Sequence, residues 1–403
     1  MASTDIAMTG IDAASAELAS ISNNIANNQT TGFKRSDVEF ADVYAASAQQ
    51  PGSGVRVSQL RQDFTQGDIN FTNNNLDLSI EGQGFFRLSD EGRNVYSREG
   101  ALGLDSEGYI VSGSGYRLLG NTVDENGEIL PIDGELRMDY SDLQPKETDS
   151  VNLSMNFDAT AEVLPPFDID DPATYNHITS ATVYDSLGTA QVASLYIRKD
   201  APNSWSSYLY VDDVEVSQPG GDELGFDESG QLVTVNGTTD TNFGSTTYTP
   251  PSGAAPMELN FNVGEITQYD SPFGTNSIDQ DGYTAGRLED FDIDAEGIIF
   301  GRYSNGEARR MGQVTLANFT NPQGLVNNGG NTWSESLASG QPAVGDPGSA
   351  SLGRVRSGTL EGSNVDITDE LVQMISAQRT FQANAQVIST GDTITQTIIN
   401  IRR

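Results

Sequence analysis

The chain contains no cysteine in 403 residues, which excludes disulfides, thiolate chemistry and a zinc–thiolate centre. Zero cysteine also suits a protein that ends outside the cell without oxidative folding. It has one histidine, His177, so no multi-histidine metal site can form and a Ser-His-Asp triad would have a single candidate base. No serine lies in a Gly-x-Ser-x-Gly setting. Basic residues are scarce. Lys and Arg number 21 against 57 Asp and Glu, a formal net charge of −36, which argues against nucleic acid and anionic membranes as partners. No apolar run approaches the ~18–20 residues that span a bilayer, so no membrane insertion is expected. The N-terminal stretch is not expected to be a cleavable secretion signal either. Its first basic residue is Lys34, and acids interrupt its apolar pattern, so export would need another route.

What is present is unevenly distributed. The length suggests two or three domains. Between Lys146 and Ala285, 22 acids face three bases (Lys146, Arg198, Lys199), about −19, whereas residues 1–30 carry only Asp5, Asp12 and Glu17. The acidity belongs mostly to the middle of the chain, as a solvated surface.

The two ends carry a different pattern. Thr4, Ala7, Ile11, Ala14, Leu18, Ile21, Ile25 and Asn28 fall at alternating spacings of three and four. So do Ile367, Leu371, Met374, Gln378, Phe381, Ala385, Ile388, Asp392, Thr395 and Ile399. This is the rhythm of a helical seam. The first helix is expected to start near Ser3 or Thr4 and to stop before Gly32, and the last to be capped by Thr368. Polar seam residues such as Asn24, Asn27 and Gln378 cost stability and fix register. Isolated helices of this kind need neighbours. Those neighbours are each other within one chain or other copies, and the pattern favours other copies.

Between the ends the periodicity is that of strands and tight turns. Leu76, Leu78 and Ile80 alternate with polar residues, a half-buried strand. Gly82-Gln83-Gly84 fits a tight turn before Phe85-Phe86, and lacks the rest of a dinucleotide fingerprint. Turns are expected at Asp90-Glu91-Gly92, Ser106-Glu107-Gly108, Glu125-Asn126-Gly127, Asp227 to Gly230 and Asn236-Gly237. Thr238 to Pro256 reads as a low-complexity loop. The fold class is therefore mostly β with α-helical termini: two nested β domains, the inner one discontinuous, bracketed by helices that pair in a coiled-coil-like assembly. The expected boundaries are 1–30 and 365–403 for the helices, and 31–75 and 359–364 for extended connections. The inner β domain takes 76–145 and 286–358, and the inserted outer one 146–285.

Candidate chemistry is sparse. Asp290, Asp292 and Asp294 resemble the start of a calcium loop, but Ala295 replaces the sharp-turn glycine and Gly301 the bidentate glutamate. A strand with Phe291 and Ile293 inward is the better reading. Asp168, Asp170 and Asp171 beside Pro172 define no geometry for a cation. No catalytic residue, metal ligand or cofactor is assigned.

The ends match more than a rhythm. Ser22-Asn23-Asn24-Ile25-Ala26-Asn27 with Thr31-Gly32-Phe33-Lys34 resembles the N-terminal signature of the bacterial flagellar rod and hook family. Leu360 to Asp366, Glu370-Leu371, Met374-Ile375, Ala377 to Phe381 and Asn384-Ala385 resemble its C-terminal signature. Gly84-Phe85-Phe86, Tyr96 to Gly100 and Gly115 to Gly120 are similar to the family's shared β domain, with Leu102 where the family often has Phe. Val183 to Gly188 resembles the start of the domain inserted in the hook branch, and the length also points there.

The resemblance implies a structural subunit and no enzyme. Such subunits leave the cell through the flagellar type III export apparatus, assemble with themselves under a hook cap, and join a distal rod protein to a hook–filament junction protein. The product is an extracellular, curved tube that bends yet transmits torque. Assembly contacts are then expected at Ile11, Leu18, Ile21, Asn24, Ile25 and Asn27, against Leu371, Met374, Gln378, Phe381 and Ile388. A distal rod or hook-associated protein is the alternative within the family. Outside it stands a secreted acidic β protein binding calcium or glycans, which would explain the middle but not both ends.

Overall fold

The computed structural model describes residues 2–43, 52–124 and 127–401. The chain divides into two compact units, one of Met1–Asp139, Asp290–Gly301 and Ala308–Arg403, the other of Tyr140–Glu289 and Arg302–Glu307. In the expected turn at Glu125-Asn126-Gly127, the first two residues lie outside the described residues. So do the side chains of Ile398 and Ile399.

The first unit opens with helix α1 (Ala2–Ala26) and closes with helix α2 (Ile367–Ile401). After α1 the chain turns through Gly32, whose φ of 68° and close approach to the backbone of Arg98 and Glu99 leave no room for a side chain. Strands β1 (Ser36–Asp42) and β2 (Val55–Gln62) form an antiparallel ribbon with a bulge at Glu39/Phe40. Next come β3 (Ile69–Phe71), paired with Thr359–Glu361, and β4 (Leu78–Glu81), paired with Arg354–Ser357. Both strands thus join an early segment to a late one.

The same exchange builds the main sheet. Phe85–Asp90 pairs with Arg93–Ser97 through the turn at Glu91 and Gly92, both at positive φ. It also pairs with Arg117–Val123 and with Leu316–Asn318. The core beneath takes Leu78, Ile80, Phe86, Leu88, Leu102 and Ile110 from the first stretch, and Ile293, Ile299, Val314, Leu316 and Val355 from the second. The leucine at position 102 is therefore a core residue. A smaller cluster sets Phe85, Tyr96, Phe319 and Trp333 edge to edge. The β4 segment differs from the expected half-buried strand, because Ser79 is as buried as its neighbours and its hydroxyl pairs with Thr359 at 2.6 Å.

The second unit is a β-sandwich. One sheet runs Asn242–Gly244, Asn260–Tyr269, Ser150–Asp158, Gly274–Gln280; Ser150–Asp158 lies parallel to Asn260–Tyr269. A parallel pair needs a long crossover. Here the crossover carries the second sheet, an antiparallel meander through His177–Tyr184, Ala190–Ala201, Ser204–Val211, Asp222–Phe226 and Leu232–Val235. Alternate residues of both sheets (Val151, Leu153, Met155 and Phe157 facing Leu195, Ile197, Trp205 and Leu209) fill one core. The segment Thr238 to Pro256 is more ordered than its composition suggested. Phe243 stacks on Phe261 with centroids 5.3 Å apart, and Tyr248 is buried. Aromatic burial outweighs the turn-rich composition around it.

Of the acids that invited a calcium reading, Asp290 and Asp292 lie on the strand Leu288–Ile293, with Ile293 buried and Phe291 half-buried as expected, while Asp294 and Asp171 hold turns. The Asp294 carboxylate accepts the Ile298 amide at 2.8 Å, and Asp171 accepts the Ala173 amide at 3.0 Å and caps a short 3-10 turn. Among the described residues no group of three or more His, Cys, Asp or Glu is placed to hold a metal ion. His177 stacks on Phe273 at 4.1 Å, and burial holds its imidazole below the usual range.

Candidate assembly interface

Helices α1 and α2 pair antiparallel within one chain. Thr4 lies against Gly391, Gly10 against Asn384, and Asn24 against Glu370. The contact faces are mostly small or polar, with Ile21 the large apolar exception. On α1 the buried residues are Ala7, Ala13, Ala14, Ile21 and Asn24; on α2 they are Glu370 and Ala377, continued at seven-residue spacing by Asn384 and Gly391. A Cβ on Gly10 would sit 2.6 Å from the Asn384 amide, so the glycine permits the close approach. Helix α2 also runs on past Gly391, its partner at the start of α1, for ten further residues as far as Ile401.

This stripe is not the seam read from the sequence. The stripe facing α1 is shifted by about one residue, so the larger apolar residues of α2 stay outside it. Leu371 is 47% exposed and Ile375 50%. Gln378 and Phe381 are exposed, while Met374 and Ile388 are half-buried. On α1, Ile21 is buried and Ile11, Leu18 and Ile25 are half-buried. Asn27 does not reach α2. Its side chain donates to the Asn23 carbonyl at 3.0 Å and accepts from Thr30 at 3.1 Å, closing the end of the helix. The α2 cap also differs from expectation. The cap is Asp366 rather than Thr368: its carboxylate accepts the Thr368 amide at 2.7 Å, and Thr368 is already inside the helix.

Asn24 bonds to both neighbours of α1 within the chain. Its amide exchanges two 3.0 Å hydrogen bonds with the backbone of Ser36 and donates to Glu370 Oε1 at 3.1 Å. It thereby ties α1, the start of β1 and α2 together. Glu370 Oε2 is buried with no hydrogen-bond partner among the described residues, and burial raises the pKa of this carboxyl. The folded state therefore holds the Glu370 proton more tightly than the unfolded chain. Its contribution to stability is full below the unfolded pKa and is lost as pH rises through the folded one. Glu370→Gln is expected to make the helix pair more stable than the parent at pH 7 and to flatten the acid side of the profile, read from denaturation midpoints between pH 4 and pH 7. A parallel parent and variant profile would refute this.

Below the helices lies a cluster that motif reading left unassembled. Glu361, fully buried, accepts from Lys34 Nζ at 2.6 Å and from Arg98 Nη1 at 3.1 Å. Lys34 also donates to the Thr65 carbonyl at 2.6 Å, and Arg98 to the Gly82 carbonyl at 2.8 Å. Burial lowers the pKa of both cations, with Glu361 opposing the shift. Asn364 completes the knot, accepting the Arg35 amide at 2.8 Å and donating to the Asp63 carbonyl at 2.8 Å. Lys34, Arg98, Glu361 and Asn364 belong to three separate signature motifs, and the fold brings those motifs to one point. The sequence signal was available: charged residues embedded in Gly-flanked motifs have little reason to be solvated decoration.

Family models match along the chain: Flagella basal body rod protein over 5–34, Flagellar hook protein FlgE/F/G D1 domain over 79–156, Flagellar basal body protein FlaE D2 domain over 152–283, and Flagellar basal body rod FlgEFG protein C-terminal over 356–401. Flagellar hook protein FlgE of Salmonella typhimurium is 37% identical, with 98% of this chain and 99% of that protein covered. The Escherichia coli protein of the same name is 35% identical over 98% and 99%, and that of Borreliella burgdorferi 32% over 95% and 95%. The crystal structure of Helicobacter pylori flagellar hook protein FlgE2 shares the fold with a TM-score of 0.54 at 14% identity, covering 71% of this chain and 99% of that one. A rod-type pair of ends around hook-type β domains, matched over nearly its whole length, places the chain in the flagellar hook protein family.

Proposed function

We propose that the terminal helices form the core of a tubular polymer of this chain, with Ile11, Leu18, Ile25, Leu371, Gln378, Phe381 and Ile388 at contacts between copies. As a hook-family member the chain is a structural subunit of the bacterial flagellum that polymerises with itself. One observation carries the finer reading. The in-chain helix pair uses mostly small and polar residues, and leaves Leu371, Ile375 and Phe381 in solvent on a helix otherwise built to pack.

In this reading the discontinuous β domain (76–145 and 286–358) forms the middle wall and the acidic insert (146–285) the outside. The connecting segments 31–75 and 359–364 link helices to wall. The tube stands outside the cell, reached by type III export under a hook cap, between a distal rod protein and a hook–filament junction protein. About −19 on the insert keeps its contacts with neighbouring copies weak and salt-screened, so that it slides as the tube bends.

The test is gold-labelled antibody against residues 146–285 on purified hook–basal bodies. Label along the outer surface of the short curved segment is the expected result. Label at the rod or at the filament junction would assign the chain to a different part of the axis.

A further inference from the structure

Beside α1, on the flank away from α2, the first unit holds an open groove of about 680 Å³. Ala19 of α1, Val38 of β1, Val57 and Leu60 of β2, Phe64 and Leu325 line it, and none of its lining residues is charged. Leu60 is 60% exposed at its rim. In a chain of −36, a groove lined by apolar and uncharged polar residues alone stands apart from the acidic surface elsewhere.

The same chain carries a matching ridge. From Leu371 to Gly391 helix α2 has one charged residue, Arg379, and its exposed flank presents Leu371 and Ile375. Ridge and groove cannot meet within one copy by the pairing observed. The groove uses Ala16, Ala19 and Asn23 of α1, whereas α2 lies on the face bearing Gly10, Ala14 and Asn24. Two different, complementary surfaces on one chain give a head-to-tail contact, which grows into a ring or an open helix.

We infer that the groove between α1 and the β1–β2 ribbon receives the Leu371–Ile375 ridge of a second copy of this chain. This rests on the proposed helical polymer core and adds which surface meets which. The uncharged groove and the nearly uncharged ridge match in chemistry. Arg379 at the ridge adds attraction to a strongly acidic neighbour. The groove then contributes the buried, water-free part of the contact, and β1–β2 acts as a clamp rather than a passive connection.

The absence of native cysteine makes the test direct. Leu60→Cys and Ile375→Cys are made as separate single variants of the full chain, mixed, polymerised and oxidised. Because each copy carries one thiol, a mixed disulfide dimer arises only between copies. The expected result is entry of about half of the subunits into that dimer, the most that random 1:1 mixing in a head-to-tail polymer allows, with the Phe300→Cys and Ile375→Cys mixture giving none. Polymer that forms normally but yields no Leu60–Ile375 dimer overturns the inference while leaving a helical core intact.

Should either cysteine stop growth, Leu60→Asp and Leu60→Met decide the matter. Leu60→Met polymerising and Leu60→Asp remaining monomeric, with an unchanged melting temperature, supports the groove; parental polymerisation by Leu60→Asp overturns it. The polymer core itself is tested separately by Phe381→Asp, at a proposed contact outside the ridge. Growth of that variant would overturn the core reading, whatever the groove does.

Discussion

Replacing Glu361 with alanine is expected to destabilise the first unit by about 3–5 kcal/mol, because it strands two buried cations side by side. Lys34 and Arg98 are both almost fully enclosed, and among the described residues Glu361 is the one carboxylate bonded to either of them. Their water of hydration was given up on folding, and the Coulomb attraction to Glu361 is what offsets that loss. The melting temperature should fall by roughly 10 °C. Replacing Glu361 and Lys34 together, as Glu361→Gln with Lys34→Met, should recover part of the loss, since one orphaned cation is removed and the amide still accepts from Arg98. A loss below about 1 kcal/mol for the alanine variant would mean that water reaches the cluster. The consequence for function is geometric. The cluster ties the segment leaving α1, the β domain and the segment entering α2, so its loss would free the helix pair from the β domain.

Leu371→Asp is expected to abolish polymerisation with little change in the folding of the monomer. The side chain is about half exposed in one copy, so an aspartate there costs the isolated subunit little. In a packed contact between copies it would place an unpaired carboxylate among apolar groups, a penalty of several kcal/mol repeated at each subunit. The informative comparison is with Leu18→Asp, which is half-buried on α1 and should weaken the folded subunit as well as the polymer. Sedimentation reads assembly and thermal melting reads folding. Polymers from Leu371→Asp at parental yield would remove the residue from any contact between copies.

Much of the β architecture was legible in the residues. Asp90-Glu91-Gly92 and Asn236-Gly237 supply positive φ at both central positions, a requirement so local that spacing alone reveals it. The helices were legible for the same reason, since a seven-residue rhythm persists through 25 and 35 residues. Less legible was which stripe each helix would use. Alanine, glycine and asparagine at 7, 10, 14, 377, 384 and 391 carry weak hydrophobic signal, yet close approach favours them over the larger residues next door. Periodicity weights leucine and isoleucine, so on α2 it pointed to residues the in-chain pair leaves exposed, such as Leu371 and Phe381, rather than to the occupied face.

The β-rich body, its acidic insert, its helical ends and its family follow from the sequence alone, because patterning, turn chemistry and motif identity are properties of neighbouring residues. Only the tertiary structure could place Lys34, Arg98 and Glu361 together. Positions separated by up to 327 residues have no local signal of contact, and a buried charge is recognisable only once its burial is known. The groove beside α1 is of the same kind. It exists because a helix, a bulged ribbon and the Pro322–Gly324 turn converge, and no one of those segments contains it.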